Sequence, residues 1–248
     1  MVRDASRMTD EAVGIAISQF APSGSAFLRY GTAKVVGDDV VRACFNLLKS
    51  NMEVYYKAAW SWKDSTKMKE LLSPSARILS LWQDSKLPTM SAATESRGRA
   101  GCSSGDEREG SGAGDDSGWE TDGDDSEASC LHAFAHYRFC MEEGILSAQC
   151  EERLPVLYIW EMQVSESCRG RGLGRMLMDM LTAIASAASM HSLVLTVFSS
   201  NQPAVSFYKH MGFEHTADCP SRTHNASTHF ILSKRVPASA SEKKAAHE

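Results

Sequence analysis

A short basic turn, Arg169-Gly170-Arg171-Gly172-Leu173-Gly174, constrains this chain more than any other stretch. It follows an apolar run, Leu154 to Val164, that reads as a strand. It opens a helix over Gly172 to Met190, with Leu173, Met176, Leu177, Met180, Leu181 and Ile184 on one stripe. A helix start leaves backbone N–H groups unpaired, and the macrodipole adds partial positive charge. Gly172 and Gly174 lack a Cβ, so a pyrophosphate can approach the backbone. Arg169, Arg171 and Arg175 add charge and forked donors. The motif is short, so a glycine-rich turn with solvated arginines stays open as the plainer reading.

The elements around this turn point to one fold class. Val40 to Ala59 repeats Val41, Phe45, Leu48, Met52 and Tyr56 at helical spacing and ends at Trp60-Ser61-Trp62. Asp64 to Leu72 reads as a short charged helix closed by Ser73-Pro74, and Arg77 to Gln83 as a strand. Leu131 to Met141 is an aromatic-rich strand. Leu193 to Phe198 is an apolar strand of the buried kind, and Ala204 to His210 is a short helix behind Pro203. His229 to Ser233 reads as a last strand. The second half thus runs strand, strand, helix, strand, helix, strand. That order predicts an α/β protein with a mixed (α+β) sheet flanked by helices.

Composition divides the chain. Residues 91–129 are rich in Gly, Ser, Asp and Glu, with Trp119 as the one large apolar side chain. Such a segment cannot offset its ordering entropy and is expected to be a disordered insert. From Asp106 to Glu127 ten carboxylates face one Arg108, about −9 in charge, while the whole chain carries −5. The remainder is therefore near +4. The expected organisation is an extension over 1–24, one domain over 25–236 interrupted by 91–129, and a tail over 237–248. Seven cysteines without a C-x-x-C pair predict reduced thiols rather than zinc or a disulfide framework, and no metal is expected. Met1 to Asp10 lacks a signal-peptide core, and no run reaches the roughly 20 apolar residues of a membrane span. No membrane and no direct nucleic-acid partner is expected.

The turn and its neighbours resemble the acyl-CoA N-acyltransferase (GNAT) family. R-x-x-G-x-G after a strand is similar to that family's acetyl-CoA pyrophosphate loop, and Asn201, Phe207-Tyr208 and Met211-Gly212-Phe213 also fit. Within the family the chain resembles the histone-specific N-terminal acetyltransferases of the NatD type. The blocks that carry this are Asn51-Met52 with Tyr56, Trp60-Ser61-Trp62-Lys63-Asp64, Ala133 to Phe139, Leu157-Tyr158 through Glu161 and Gln163, Leu195 to Phe198, and Ile231 to Arg235. The resemblance implies the GNAT fold, with acetyl-CoA as co-substrate and histone tails beginning Ser-Gly-Arg-Gly as substrates. It also implies a nuclear and cytoplasmic monomer.

Residue by residue, the resemblance implies that Glu161 is the general base. Met162, Gln163 and Val164 would hold the pantetheine and thioester. Arg169, Gly170, Arg171, Gly172, Leu173, Gly174 and Arg175 would hold the pyrophosphate, with Asn201 on the cofactor side. Tyr56, Trp60, Glu142, Tyr158 and Thr196 match peptide-pocket positions. The chain departs from the family at Trp160 and His229, where tyrosines are usual, at Cys140, where an aspartate is usual, and at Asp218, near a serine. Losing a carboxylate at Cys140 leaves Glu142, with Asp218 as a second acid, to hold a substrate arginine.

The chemistry stands without the family. An α-ammonium titrates near 7.7–8.0 and must lose a proton before it attacks a thioester. A strand carboxylate can take that proton directly or through one water. Free strand N–H groups can stabilise the charge that develops on oxygen. Other readings stay open: a structural ion pair at Glu161, core packing at Tyr158 and Trp160, acetylation of lysine side chains or small amines, and a non-catalytic acyl-CoA-binding module. Cys140 and Cys168 lie near the site but show no paired base for nucleophilic chemistry, so they read as packing residues.

Overall fold

A computed structural model of the chain describes residues 8–20, 26–83, 130–147, 152–222 and 227–237. The acidic segment 91–129, with Trp119, and all of the tail beyond residue 237 lie outside the described residues. In chain order the elements are α1 (Asp10–Ile17), β1 (Ala26–Gly31), α2 (Ala33–Val36), α3 (Asp38–Ala59), α4 (Asp64–Leu71), β2 (Ala76–Gln83) and β3 (Cys130–Glu142). They continue with β4 (Leu154–Val164), α5 (Leu173–Ala187), β5 (Ser192–Phe198), α6 (Gln202–His210), β6 (Glu214–His215) and β7 (His229–Arg235). Single 3₁₀ turns lie at Ser18–Phe20, Glu166–Cys168 and Pro220–Arg222.

The strands form one seven-stranded mixed sheet in the order β1-β2-β3-β4-β5-β7-β6. Only β4 and β5 are parallel, joined through α5 as a crossover helix. This is the mixed sheet expected from the element order. Helices cover both faces. On one face α1, α5 and α6 send Val13, Ile17, Leu177, Leu181, Ile184 and Val205 onto Leu79, Ala135, Leu157, Ile159 and Leu195. On the other, α2, α3 and α4 pack Val36, Val41, Cys44, Leu48 and Leu71 on Ile78, Trp82 and Phe134. Asp38 and Asp39 in the first turn of the 22-residue α3 complement its dipole.

Within the extension expected over 1–24, the described helix α1 contributes to this core. Thr9 caps α1 by accepting from Ala12 N–H at 3.2 Å, and Val13 and Ile17 are fully buried. The Arg77 guanidinium on β2 donates to Asp10 Oδ1 at 3.0 Å and also to the Met8 carbonyl, tying the helix to the sheet. Among the described residues, Cys44, Cys130, Cys140, Cys168 and Cys219 are free thiols.

Candidate active site

The cleft arises where two parallel strands part. β4 pairs with β5 only from Val156↔Ser192 to Ile159↔Leu195, although β4 runs on to Val164 and β5 to Phe198. Beyond Ile159 the β5-facing backbone of β4 has no strand partner. The opening is a cleft of about 990 Å³, lined by the ends of β4 and β5, the C-terminal half of α3, α4, the start of α5 and the start of α6. That volume suits a co-substrate and a peptide end together.

A β-bulge aims the central carboxylate into it. On β3, His136 pairs with Glu161 and Tyr137 with Ile159, which leaves Trp160 as an extra residue. Leu157 and Ile159 lie in the core beneath α5. Strict alternation would send Glu161 there too. The bulge resets the faces: Glu161 and Gln163 meet α3, while Met162 and Val164 pack on the α5 side.

Glu161 is only 7% exposed, and its oxygens are held from three elements. Tyr56 Oη of α3 donates to Oε1 at 2.8 Å, and Gln163 Nε2 donates to Oε2 at 3.1 Å. Lys67 Nζ of α4 lies 3.5 Å from Oε1. Asn51 of α3 donates to Gln163 Oε1 at 3.1 Å and to the Val164 carbonyl at 3.2 Å, and accepts from Arg169 at 2.9 Å. One asparagine thus links the carboxylate's support to the basic turn. Burial pushes the Glu161 carboxyl above the ordinary glutamate range, against the pull of the Lys67 charge and the Tyr56 and Gln163 hydrogen bonds. Burial, then the Glu161 charge, pushes the Tyr56 hydroxyl up, so it stays a donor.

At the turn, Gly170 has φ +74° and Gly172 φ +80°. Gly172 is the N-cap of α5 in the left-handed conformation, and a Cβ there would enter open space. The α5 ladder starts with Met176 N–H bonded to the Gly172 carbonyl, so the N–H groups of Leu173, Gly174 and Arg175 face the loop free of helical partners. Gly174 is tight for a different reason: its Cβ would lie 3.4 Å from the Phe207 ring of α6. Arg169 and Arg175 line the cleft, whereas Arg171 is exposed outside it. Asn201 caps α6 by accepting from Ala204 N–H at 3.3 Å and also lines the cleft.

The opposite end is aromatic. Tyr56, Trp60 and Phe198 pack at centroid separations of 4.8–5.9 Å, and Trp60 is still 49% exposed. Tyr158 Oη and Thr196 Oγ1 share a hydrogen bond of 2.7 Å. The Arg138 guanidinium lies 4.5 Å over Trp160 and 5.9 Å from Tyr158. Glu142 lines the cleft and accepts from the Cys140 thiol at 3.2 Å. Burial, then that bond, pushes the thiol up to about 12, so Cys140 is no thiolate nucleophile. His229 meets Trp60 edge-on at a centroid separation of 5.2 Å and does not line the cleft. Asp218 is exposed beside Gly144 and does not line the cleft. Its expected place beside Glu142 in the pocket is therefore not what the structure shows, because Asp218 N–H bonds the Gly144 carbonyl in the turn beyond β3. Sequence reasoning gave no site role to Asn51, Arg138 and Phe198, which it named only in the blocks of resemblance, and passed over Lys67 and Glu70. Lys67 carried one signal: it precedes the buried Leu71 by one helical turn.

Residues 113–213 match the acetyltransferase (GNAT) family. That stretch runs through β3, β4, α5, β5 and α6 and is less than half of the chain. Over 101 residues the chain is 30% identical to N-alpha-acetyltransferase 40 of Saccharomyces cerevisiae, covering 36% of this chain and 35% of that protein. The match thus spans about a third of the relative's length. Among solved structures, Arabidopsis thaliana NAA60 with acetyl-CoA aligns at TM-score 0.49 and 11% identity over 85% of this chain and 98% of that one. Arabidopsis thaliana Naa50 with a bisubstrate analogue, CoA-Ac-MVNAL, aligns at 0.45 and 15%, over 84% and 97%.

Proposed function

We propose that this GNAT domain is an acetyl-CoA-dependent N-terminal acetyltransferase, with Glu161 as general base and basic histone tails as substrates. The observation that carries the reading is the buried carboxylate at the strand split, one short turn from a helix start with free N–H groups. The residues present fit the co-substrate. Free amides at the α5 start, Gly172 and Arg169 and Arg175 suit a pyrophosphate. The β5-facing edge of β4 beyond Ile159, which has no strand partner, suits the amide-bearing pantetheine arm.

Acetyl-CoA, when bound, would supply the thioester: the neutral amine forms the C–N bond, the C–S bond breaks, and coenzyme A leaves as a thiolate that takes up the second proton the nitrogen sheds. Glu161 takes the proton that the substrate ammonium gives up. Its raised pKa makes it a better base near neutrality than an ordinary glutamate. Tyr56 and Gln163 fix its oxygens, and Tyr56, Trp60 and Phe198 exclude water from the amine. Glu161, Glu70 and Lys67 sum to one negative charge, which complements an α-ammonium. Glu142 is the carboxylate placed to pair with a substrate arginine. The resemblance to N-alpha-acetyltransferase 40 supports the α-amine over the lysine side chain. The reading places the enzyme in nucleus and cytoplasm.

The test is acetyl transfer to a Ser-Gly-Arg-Gly peptide against the same peptide N-terminally blocked with a free lysine added. Only the first should react. Glu161→Gln should lower kcat by about 100- to 10,000-fold with acetyl-CoA affinity unchanged by calorimetry. Normal turnover in that variant would remove the base assignment.

A further inference from the structure

Lys67 is a lysine with almost no water. It is 8% exposed, on a helix of eight residues whose other polar side chains are mostly outside. Burying an ammonium is costly unless it is paired. Here Nζ lies 2.8 Å from Glu70 Oε2, 3.5 Å from Glu161 Oε1, and 3.9 Å from the centre of the Tyr56 ring. Glu70 lies one turn along the same helix. A purely structural pair would need only Glu70. The second carboxylate and the aromatic face instead set Lys67 between α4, α3 and β4, where it touches both Glu161 and the tyrosine that donates to Glu161.

We propose that Lys67 is a positioning residue for acetyl transfer: its ammonium keeps Glu161 ionised and, through the Tyr56 ring, oriented at the strand split. The inference rests on Glu161 being the general base. Every neighbouring charge is consistent with this division of labour. The Glu161 site sees Lys67 and Glu70 from α4, Tyr56 from α3, Gln163 and Trp160 from β4, His136 from β3 and Tyr208 from α6. His136 is held neutral by burial, with a pKa down at about 4, and both tyrosines stay protonated. Lys67 is then the cation that offsets burial of the carboxylate, and Glu70 works against it. Without Lys67 the carboxyl would hold its proton through the pH range in which a base is needed.

The sign of each effect is distinct. Lys67→Met removes the cation, so the acid limb of kcat/KM should move to higher pH by about 1–3 units. At pH values below the parent's own limb, each unit of that shift is about 10-fold in lost activity. Lys67→Arg keeps the charge and the aromatic contact and should return most of the limb. Glu70→Gln removes the opposing anion, so the limb should move to lower pH. The Glu161 carboxyl can be titrated directly by carbon NMR, its signal assigned by loss in Glu161→Gln. In Lys67→Met that titration should move up with the limb. An unmoved Glu161 titration in a folded Lys67→Met overturns the inference, whatever the base is. If Lys67→Met does not fold, Glu70→Gln and Lys67→Arg decide: a limb that moves up in Glu70→Gln, or one as displaced in Lys67→Arg as loss of charge requires, overturns it. Should Glu161 titrate as described while Glu161→Gln keeps normal kcat, the base assignment fails and not the placement of Lys67.

Discussion

His136 faces Glu161 across the β3–β4 ladder and is 1% exposed. Burial, then the charges of Lys67 and Arg138, holds its pKa down at about 4, against 6.5 for the ordinary side chain. The unfolded chain therefore binds more protons than the folded one between those values, and stability rises with pH across that window. The contribution is complete above about 6.5 and is lost as pH falls toward 4, on the order of 3 kcal/mol for this shift. His136→Gln cannot titrate, so it should remove that part of the slope of Tm against pH. An equally steep profile in the variant would place the acid sensitivity elsewhere. At this scale the legible residues were those bound to the glycine turn: Glu161, Gln163 and Asn201 all reach the cleft. Lys67 was not legible, because a lysine on a charged helix looks solvated until tertiary packing closes over it. Asp218 was misplaced for the converse reason: its position is set by a backbone bond to Gly144 that no local pattern reveals.

Gly172 sets the entry to α5 through its backbone rather than through crowding. Its φ of +80° and ψ of 0° are left-handed, and a Cβ would meet nothing within 4 Å. A substitution should therefore cost what the conformation costs, about 1–2 kcal/mol for Ala and more for a β-branched residue. Asn tolerates this region better. Tm should fall in the order Gly, Asn, Ala, Val, and acetyl-CoA affinity should follow the same order as the free amides lose their alignment. A Val variant as stable as the Asn variant would show that the cap is not held left-handed. Long elements with a strong period were legible, including β4, α3 and α5, within two or three residues of their ends. Of the short ones, the helices at Asp64–Leu71 and Gln202–His210 and the strand His229–Arg235 were legible, but α1, β1 and β6 were not. α1 is eight residues interrupted by Gly14, where a Cβ would collide with the Tyr30 hydroxyl. β1 is a half-buried edge strand, and β6 is two residues long. The bulge at Trp160 has no sequence signature at all, yet it decides which face Glu161 occupies.

For the whole molecule, the acidic stretch is anchored at one end of the sheet. β2 ends at Gln83 and β3 begins at Cys130, and these two residues pair directly. A short hairpin loop can join them. Replacing residues 84–129 by such a loop shortens the connection by about three doublings, worth roughly 2 kcal/mol in closure entropy at most. The domain should stay folded with an unchanged or higher Tm. The anchor also has a direction. Ala133 pairs with Val164, so the start of β3 lies at the glycine-turn end of β4. Glu142 lies at the far end of β3, roughly 40 Å along the strand. A charge near −9 tethered at the turn should therefore repel an anionic co-substrate and attract a basic peptide, both through long-range fields. Such fields fade near 0.15 M salt, where the Debye length is about 8 Å. The loop-replacement variant should bind acetyl-CoA more tightly and a Ser-Gly-Arg-Gly peptide more weakly at low salt, and match the parent at 0.15 M. Glu142→Gln should behave differently: it should raise KM for the arginine peptide at every ionic strength and leave an arginine-to-alanine peptide unaffected, because a contact pair within a cleft is little screened. The measurement is kcat/KM for both peptides against ionic strength in all three proteins. If the loop replacement abolishes arginine selectivity at high salt, the acidic stretch contacts the peptide. If Glu142→Gln loses nothing on the arginine peptide, the arginine is held elsewhere in the cleft.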